Sequence, residues 1–198
     1  MTDRRAFIAV DVQPGFCEGG SLAVEGGHDV AGRIAGHLAA RGGEYAAVVA
    51  SRDYHVDPGA HFGNPPDFVD SWPRHCVAGT AEAELHPSLA AVHLDAVFDK
   101  GAYAAAYSAF EAADAAGVLL GDWLRRRDID SVDVAGLATD YCVAATARDA
   151  LAQGFAVRVL LDLSAGVDAA TTAAAVDDLR ERGAELVAAV DGSGRGPQ

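Results

Sequence analysis

The chain has 198 residues, 51% of them hydrophobic, and a formal net charge of -14 at pH 7. That length suits one domain able to bury ~70% of its unfolded surface, and the charge argues against nucleic acid or an anionic membrane as partner. The sequence has no apolar stretch near the ~20 residues of a membrane span and no signal-peptide core. Its three scattered cysteines form no disulfide framework, so it reads as a cytoplasmic protein with free thiols.

The first predicted strand is Ala6–Asp11, and Asp11 stands at its end. A helix is expected near residues 28–41, then a second strand over Ala46–Ser51. From Arg52 to about Thr80 the chain reads as loop, rich in Pro, Gly, His and Asp. Structureless segments of that length in a compact domain are usually functional or disordered, and Phe62, Phe68 and Trp72 argue for order. The loop opens on Asp53-x-His55 and adds His61 and His75. One carboxylate and three imidazoles suit zinc, manganese or iron, although the spacing alone is equally that of scattered surface histidines. His28, His37, His86 and His93 read as solvated or packing residues.

The third strand, Ala96–Asp99, delivers Lys100, the one lysine in the sequence against fourteen arginines. A position that keeps a compact ammonium of tunable pKa in such a background points to an electrostatic task. Chance survival of one surface lysine is the alternative. A helix near 118–127 and a strand over Ser131–Gly136 follow. The next helix, near 140–153, carries Cys142 in its first turn, where the helix dipole and free N–H groups favour a thiolate. Strands Ala156–Leu161 and Glu185–Ala189 flank a last helix near 168–182.

Such alternation implies a mostly parallel sheet with helices on both faces. It forms one domain over residues 1–190, with the tail 191–198 expected to be disordered. In open parallel sheets ligands bind beyond the carboxyl ends of the strands. Asp11, Lys100 and Cys142 all fall there, and a carboxylate is the simplest base for a thiol proton. Taken singly, Asp11 also fits a turn or cap residue and Cys142 a small buried filler. Cys17 and Cys76 read as bystanders.

Several stretches together resemble the nicotinamidase/pyrazinamidase family of isochorismatase-like hydrolases. They are Val10-Asp11-Val12-Gln13 with Phe16-Cys17-Glu18-Gly19-Gly20-Ser21-Leu22; Asp53-Tyr54-His55 with Asp57-Pro58 and His61-Phe62; Trp72-Pro73-Arg74-His75-Cys76-Val77 with Gly79-Thr80; Lys100-Gly101; and Gly136-Leu137-Ala138-Thr139-Asp140-Tyr141-Cys142-Val143. The resemblance spans nearly the whole chain. It implies a three-layer α/β/α domain with a six-stranded parallel sheet of Rossmann-like order, and hydrolysis of nicotinamide to nicotinate and ammonia through a cysteine thioester. It implies a triad of Asp11, Lys100 and Cys142, and an oxyanion hole from Ala138 and Cys142 behind a cis peptide. It further implies one divalent metal (zinc, iron or manganese) on Asp53, His55, His61 and His75, and a ring pocket of Phe16, Leu22, Trp72, Tyr107 and Leu137. A related amidohydrolase acting on another small amide or carbamoyl compound is the alternative. A homo-oligomer is compatible with the sequence, and Tyr141 has no assigned role.

Overall fold

A computed structural model describes residues 4–187. Six strands, β1 (Arg5–Val10), β2 (Ala47–Asp53), β3 (Ala96–Lys100), β4 (Ser131–Leu137), β5 (Ala156–Ala165) and β6 (Glu185–Val187), form one sheet in the order β3-β2-β1-β4-β5-β6. Every pairing is parallel. The helices are α1 (Gly27–Arg41), α2 (Leu120–Arg125), α3 (Ala144–Ala152) and α4 (Ala169–Glu181). Alternate residues of β1 serve opposite faces. Ala6, Ile8 and Val10 pack with Leu120, Leu124, Ala147 and Leu179. Phe7 and Ala9 pack with Val30, Ile34 and Leu38 of α1. A sheet covered on both faces needs apolar residues at every position, which is why the central strands are legible as unbroken apolar runs. Each large buried side chain, such as Phe98 or Ile34, contributes roughly 1.5–3 kcal/mol.

The expected three-layer α/β/α architecture is present, with four local corrections. β2 runs two residues past Ser51, because pairing of Arg52 with Asp99 and of Asp53 with Lys100 holds polar residues in the ladder. β5 continues to Ala165 through a register shift opposite Val134–Gly136. α2 is shorter than expected. Residues 139–143 form a π-turn that precedes α3, with Val143 N donating to Ala138 O at 3.1 Å. The expected tail 191–198 and the end of the sixth predicted strand lie outside the described residues. No helix among the described residues is long and apolar enough to cross a membrane.

Strand order reverses between β1 and β4, and that reversal opens a crevice at their carboxyl ends. Gly136 permits the close approach there: its φ is 131°, and a Cβ would lie 2.1 Å from Val10 O.

Candidate active site

Three elements bring Asp11, Lys100 and Cys142 to this crevice. Asp11 follows β1 with φ 50°, a left-handed conformation uncommon outside glycine. Its backbone N donates to Ser51 O at 3.1 Å, and its Oδ1 accepts from Ser51 Oγ at 2.8 Å. Lys100 ends β3 in register with Asp53. Its Nζ makes ion pairs with Asp53 and with Asp11 Oδ2, the latter at 2.9 Å, and approaches Cys142 Sγ at 3.7 Å. Asp11 Oδ2 has that ionic neighbour but no well-directed hydrogen bond, which leaves a lone pair for a proton. Cys142 lies in the π-turn after β4, behind a cis Leu137–Ala138 peptide.

All three groups are buried. Burial disfavours the Lys100 ammonium, but Asp11, Asp53 and Cys142 outweigh it and hold the ammonium well above its usual range. Burial pushes Asp11 up, with Lys100 opposing. Burial also pushes the Cys142 thiol well up; Lys100 opposes this, while Asp11 and Asp53 reinforce it. Burial thus opposes the helix terminus at Cys142, which lies in the first turn of the helical segment that opens at Thr139 and runs into α3.

Beside this cluster, β2 and the long loop bring together Asp53, His55, His61 and His75, all buried. One ligand atom from each histidine lies within 4.8 Å of the others. Asp53 Oδ2 is 3.3 Å from His55 Nε2 and 3.5 Å from His75 Nε2. His55 Nδ1 donates to Gly101 O at 2.6 Å and His75 Nδ1 to Pro73 O at 2.8 Å. Those bonds put the hydrogen of each neutral ring on the far side, so two Nε2 lone pairs face each other at 3.3 Å. His61 Nδ1 is buried without a partner, and burial, with His55 and His75 beside it, holds that ring at about 4. Inward lone pairs, an adjoining carboxylate and an orphaned ring nitrogen fit a divalent cation, and backbone acceptors behind the ligands are the usual second layer of such a site. Arginine's wide fork could not take the place of Lys100 in this corner, where one compact ammonium serves Asp53 and Asp11 at once.

One cleft is lined by Cys142 from the first cluster and by Asp53, His61 and His75 from the second. Phe16, Leu22, Trp72, Tyr107 and Leu137, the expected ring pocket, all line it, as do Ala138 and Cys142. Trp72 Nε1 donates to Tyr107 OH at 3.0 Å. Tyr141 gains a position it lacked in the sequence reading: it lines the cleft and meets the Trp72 ring edge-on at 5.2 Å. Cys17, pushed up to about 11 by burial, and Cys76, pushed up likewise, lie outside the lining.

Two supporting residues had no role assigned from sequence. Gln13 is buried; its Nε2 donates to Asp53 O at 2.9 Å and Ala83 O at 3.0 Å, and its Oε1 accepts from Asp53 N at 2.8 Å. Gly101 has φ 75°, and a Cβ there would stand 2.5 Å from the His55 ring. Both lie inside the stretches that carry the resemblance, which was the available signal.

An isochorismatase domain model matches residues 5–191. The chain is 55% identical to a nicotinamidase/pyrazinamidase of Mycobacterium tuberculosis over 92% of its length and 98% of that protein. It superposes on a pyrazinamidase of Pyrococcus horikoshii solved in complex with zinc with TM-score 0.79 and 32% identity, covering 93% of this chain and 99% of that one. A protein from L. infantum solved in complex with nicotinate gives TM-score 0.79 and 34% identity, covering 95% and 94%.

Proposed function

The chain belongs to the isochorismatase domain family, and on that footing we propose that its cleft hydrolyses nicotinamide, and pyrazinamide, to the carboxylic acid and ammonia. The observation that carries this reading is a cleft lined by the Cys142 thiol and by two of three convergent imidazoles, with the buried Lys100–Asp11 pair directly behind the thiol. In the mechanism, Asp11 accepts the Cys142 proton as sulfur attacks the amide carbon. The cluster holds the same total charge before and after, so the transfer moves charge within the buried site instead of creating it. Backbone N–H groups of Ala138 and Cys142 hold the oxyanion; loss of one such donor typically costs ~3–4 kcal/mol. Asp11 then protonates the departing amine, the C–N bond breaks, and ammonia leaves a thioester. Asp11 takes a proton from the water that attacks this thioester, the C–S bond breaks, and the proton returns to sulfur as the acid leaves. Lys100 holds both changing charges throughout.

Asp53, His55, His61 and His75 would hold a divalent ion, which would supply a Lewis acid for the ring nitrogen and so orient the ring. Phe16 and Trp72 would sandwich that ring, with Leu22, Tyr107 and Leu137 closing its edges. Zinc, iron and manganese all suit these donors.

Ammonia release from nicotinamide, pyrazinamide and an open-chain amide, run beside metal analysis of the purified protein, tests the reading. Turnover of both ring amides with about one metal per chain is expected. Preference for the open-chain amide would transfer the site to the related amidohydrolases.

A further inference from the structure

Two histidines outside the loop, neither of them lining the cleft, meet at the start of α1. His28, in the first turn of α1, and His86, which caps the short turn Pro87–Leu89, place His28 Nδ1 2.9 Å from His86 Nε2. Cys17 Sγ lies within 4.8 Å of both ligand atoms. The trio has the composition of a second metal site, but its hydrogens are placed for something else. Ser88 N can only donate, and it donates to His86 Nδ1 at 3.1 Å. The neutral His86 ring therefore carries its hydrogen on Nε2 and donates to His28 Nδ1. His28 in turn carries hydrogen on Nε2 and donates to Glu18 O at 3.1 Å. A ligating imidazole needs a donor on its far nitrogen, and His86 has an acceptor there.

The relay is tied through Glu18 to the segment that supplies one pocket wall. The Glu18 carboxylate accepts from Gly26 N at 2.7 Å and His28 N at 3.0 Å. Ser21 N and Oγ donate to Glu82 at 3.0 and 2.8 Å. Between these ties run Leu22, Ala23 and Val24, which line the cleft. We propose that His28 and His86 are positioning residues: as neutral imidazoles they clasp residues 17–26 to the 81–89 segment and hold this wall against the substrate ring. The inference rests on reading the cleft as the nicotinamide site.

The neutrality follows from counting. Three junctions, Ser88–His86, His86–His28 and His28–Glu18, each take one hydrogen, and the two neutral rings with Ser88 N–H supply three. Any further proton falls on His86 Nδ1 or His28 Nδ1 and sets two donors face to face. The groups facing the pair are Cys17 and the Glu18 carboxylate from the loop. Burial and His28 hold His86 below the usual imidazole range. A group so lowered stabilises the fold above its unfolded value of about 6.5 and loses that contribution as pH falls. The clasp therefore loosens on acidification.

The test compares wild type, His86→Phe and His86→Gln in nicotinamide kinetics between about pH 5.5 and 8, alongside amide hydrogen exchange of residues 18–26. His86→Phe should raise KM about three- to tenfold with kcat within about twofold, and should speed exchange in 18–26. Wild-type KM should rise on acidification; His86→Gln, whose amide donates or accepts and does not titrate, should restore KM at neutral pH and abolish that acid rise. An unchanged KM in folded His86→Phe, or an acid rise that persists in His86→Gln, overturns the clasp. Should Phe fail to fold, the Gln arm decides alone. Should wild type release no ammonia, the proposed function fails, and unchanged exchange in the variants still overturns the clasp.

Discussion

Asp11 and Asp133 are both wholly buried carboxylates on neighbouring central strands, one just past the end of β1 and one inside β4. Their company differs. Asp133 Oδ1 accepts from Arg5 Nη1 at 2.9 Å and Arg158 Nε at 2.7 Å; its Oδ2 accepts from Arg158 Nη2 at 2.6 Å and Tyr45 OH at 2.9 Å. Each of its oxygens is doubly occupied by directed donors, and Arg158, 34% exposed along its side chain, carries the charge out to water. Asp11 has one directed donor, Ser51, and a fully enclosed ammonium that it shares with Asp53. A planar guanidinium fork fixes a carboxylate in one state; a compact ammonium lowers the cost of charge without using up the lone pairs. The same residue type is thus a rivet inside β4 and, in the proposed mechanism, the proton acceptor past the end of β1.

The largest expected effects are at the reactive end. Cys142→Ala and Asp11→Asn should each lower ammonia release by about 10⁴-fold or more, as removal of a nucleophile or its base does elsewhere, while metal content stays at the wild-type value. An Asp11→Asn enzyme with near-normal turnover would erase the distinction between the two carboxylates. Lys100→Arg comes next. The fork would press into a corner where Asp53, Asp11 and Cys142 already surround Nζ, and displacement of reacting groups by about 1 Å can cost about 100-fold. A kcat within a few fold of wild type would remove the case for a compact cation.

Asp133→Asn should do the reverse. It leaves two guanidinium groups against a neutral amide, and breaking a buried pair costs about 3–5 kcal/mol, less here because Arg158 reaches solvent. A fall of about 2–4 kcal/mol in urea unfolding, at unchanged slope, should accompany normal kcat per folded molecule. Lost turnover in a folded Asp133→Asn protein would tie this carboxylate to catalysis.

This division was only half legible in the sequence. Asp11, Lys100 and Cys142 could be located because each follows an apolar run, and burial on both faces of the sheet makes those runs continuous. The company of Asp133 could not, because Arg5, Tyr45 and Arg158 are brought in by strand order. The Asp53–Lys100 contact likewise depends on the β2–β3 register, which no local pattern encodes. Arg52 and Asp53 read as loop because they are polar, yet pairing with β3 keeps them in the strand. Gln13 had no role assigned from sequence, because its partners, Asp53 and Ala83, lie 40 and 70 residues away. The π-turn at Cys142 was hidden because its composition suits an α-helix equally well.

The smallest effect probes the same rivet from its neutral side. Tyr45 OH donates its one hydrogen to Asp133 Oδ2 at 2.9 Å, so it must accept from His37 Nε2, also at 2.9 Å. Its ring packs edge-on against Phe7 at 5.4 Å. Tyr45→Phe keeps that packing and removes only the hydroxyl, so the loss should be about 1–2 kcal/mol in urea unfolding, the range for a hydrogen bond to a charged acceptor. Burial and the Asp133 charge push the phenol upward. A phenol so raised stabilises the fold below its unfolded value of about 10 and loses that contribution above it. The gap between wild type and Tyr45→Phe should therefore narrow at alkaline pH, and the loss in Asp133→Asn/Tyr45→Phe should fall short of the sum of the single losses. Strict additivity would mean that the hydroxyl serves His37 alone, and the four-donor account of Asp133 would lose its fourth donor.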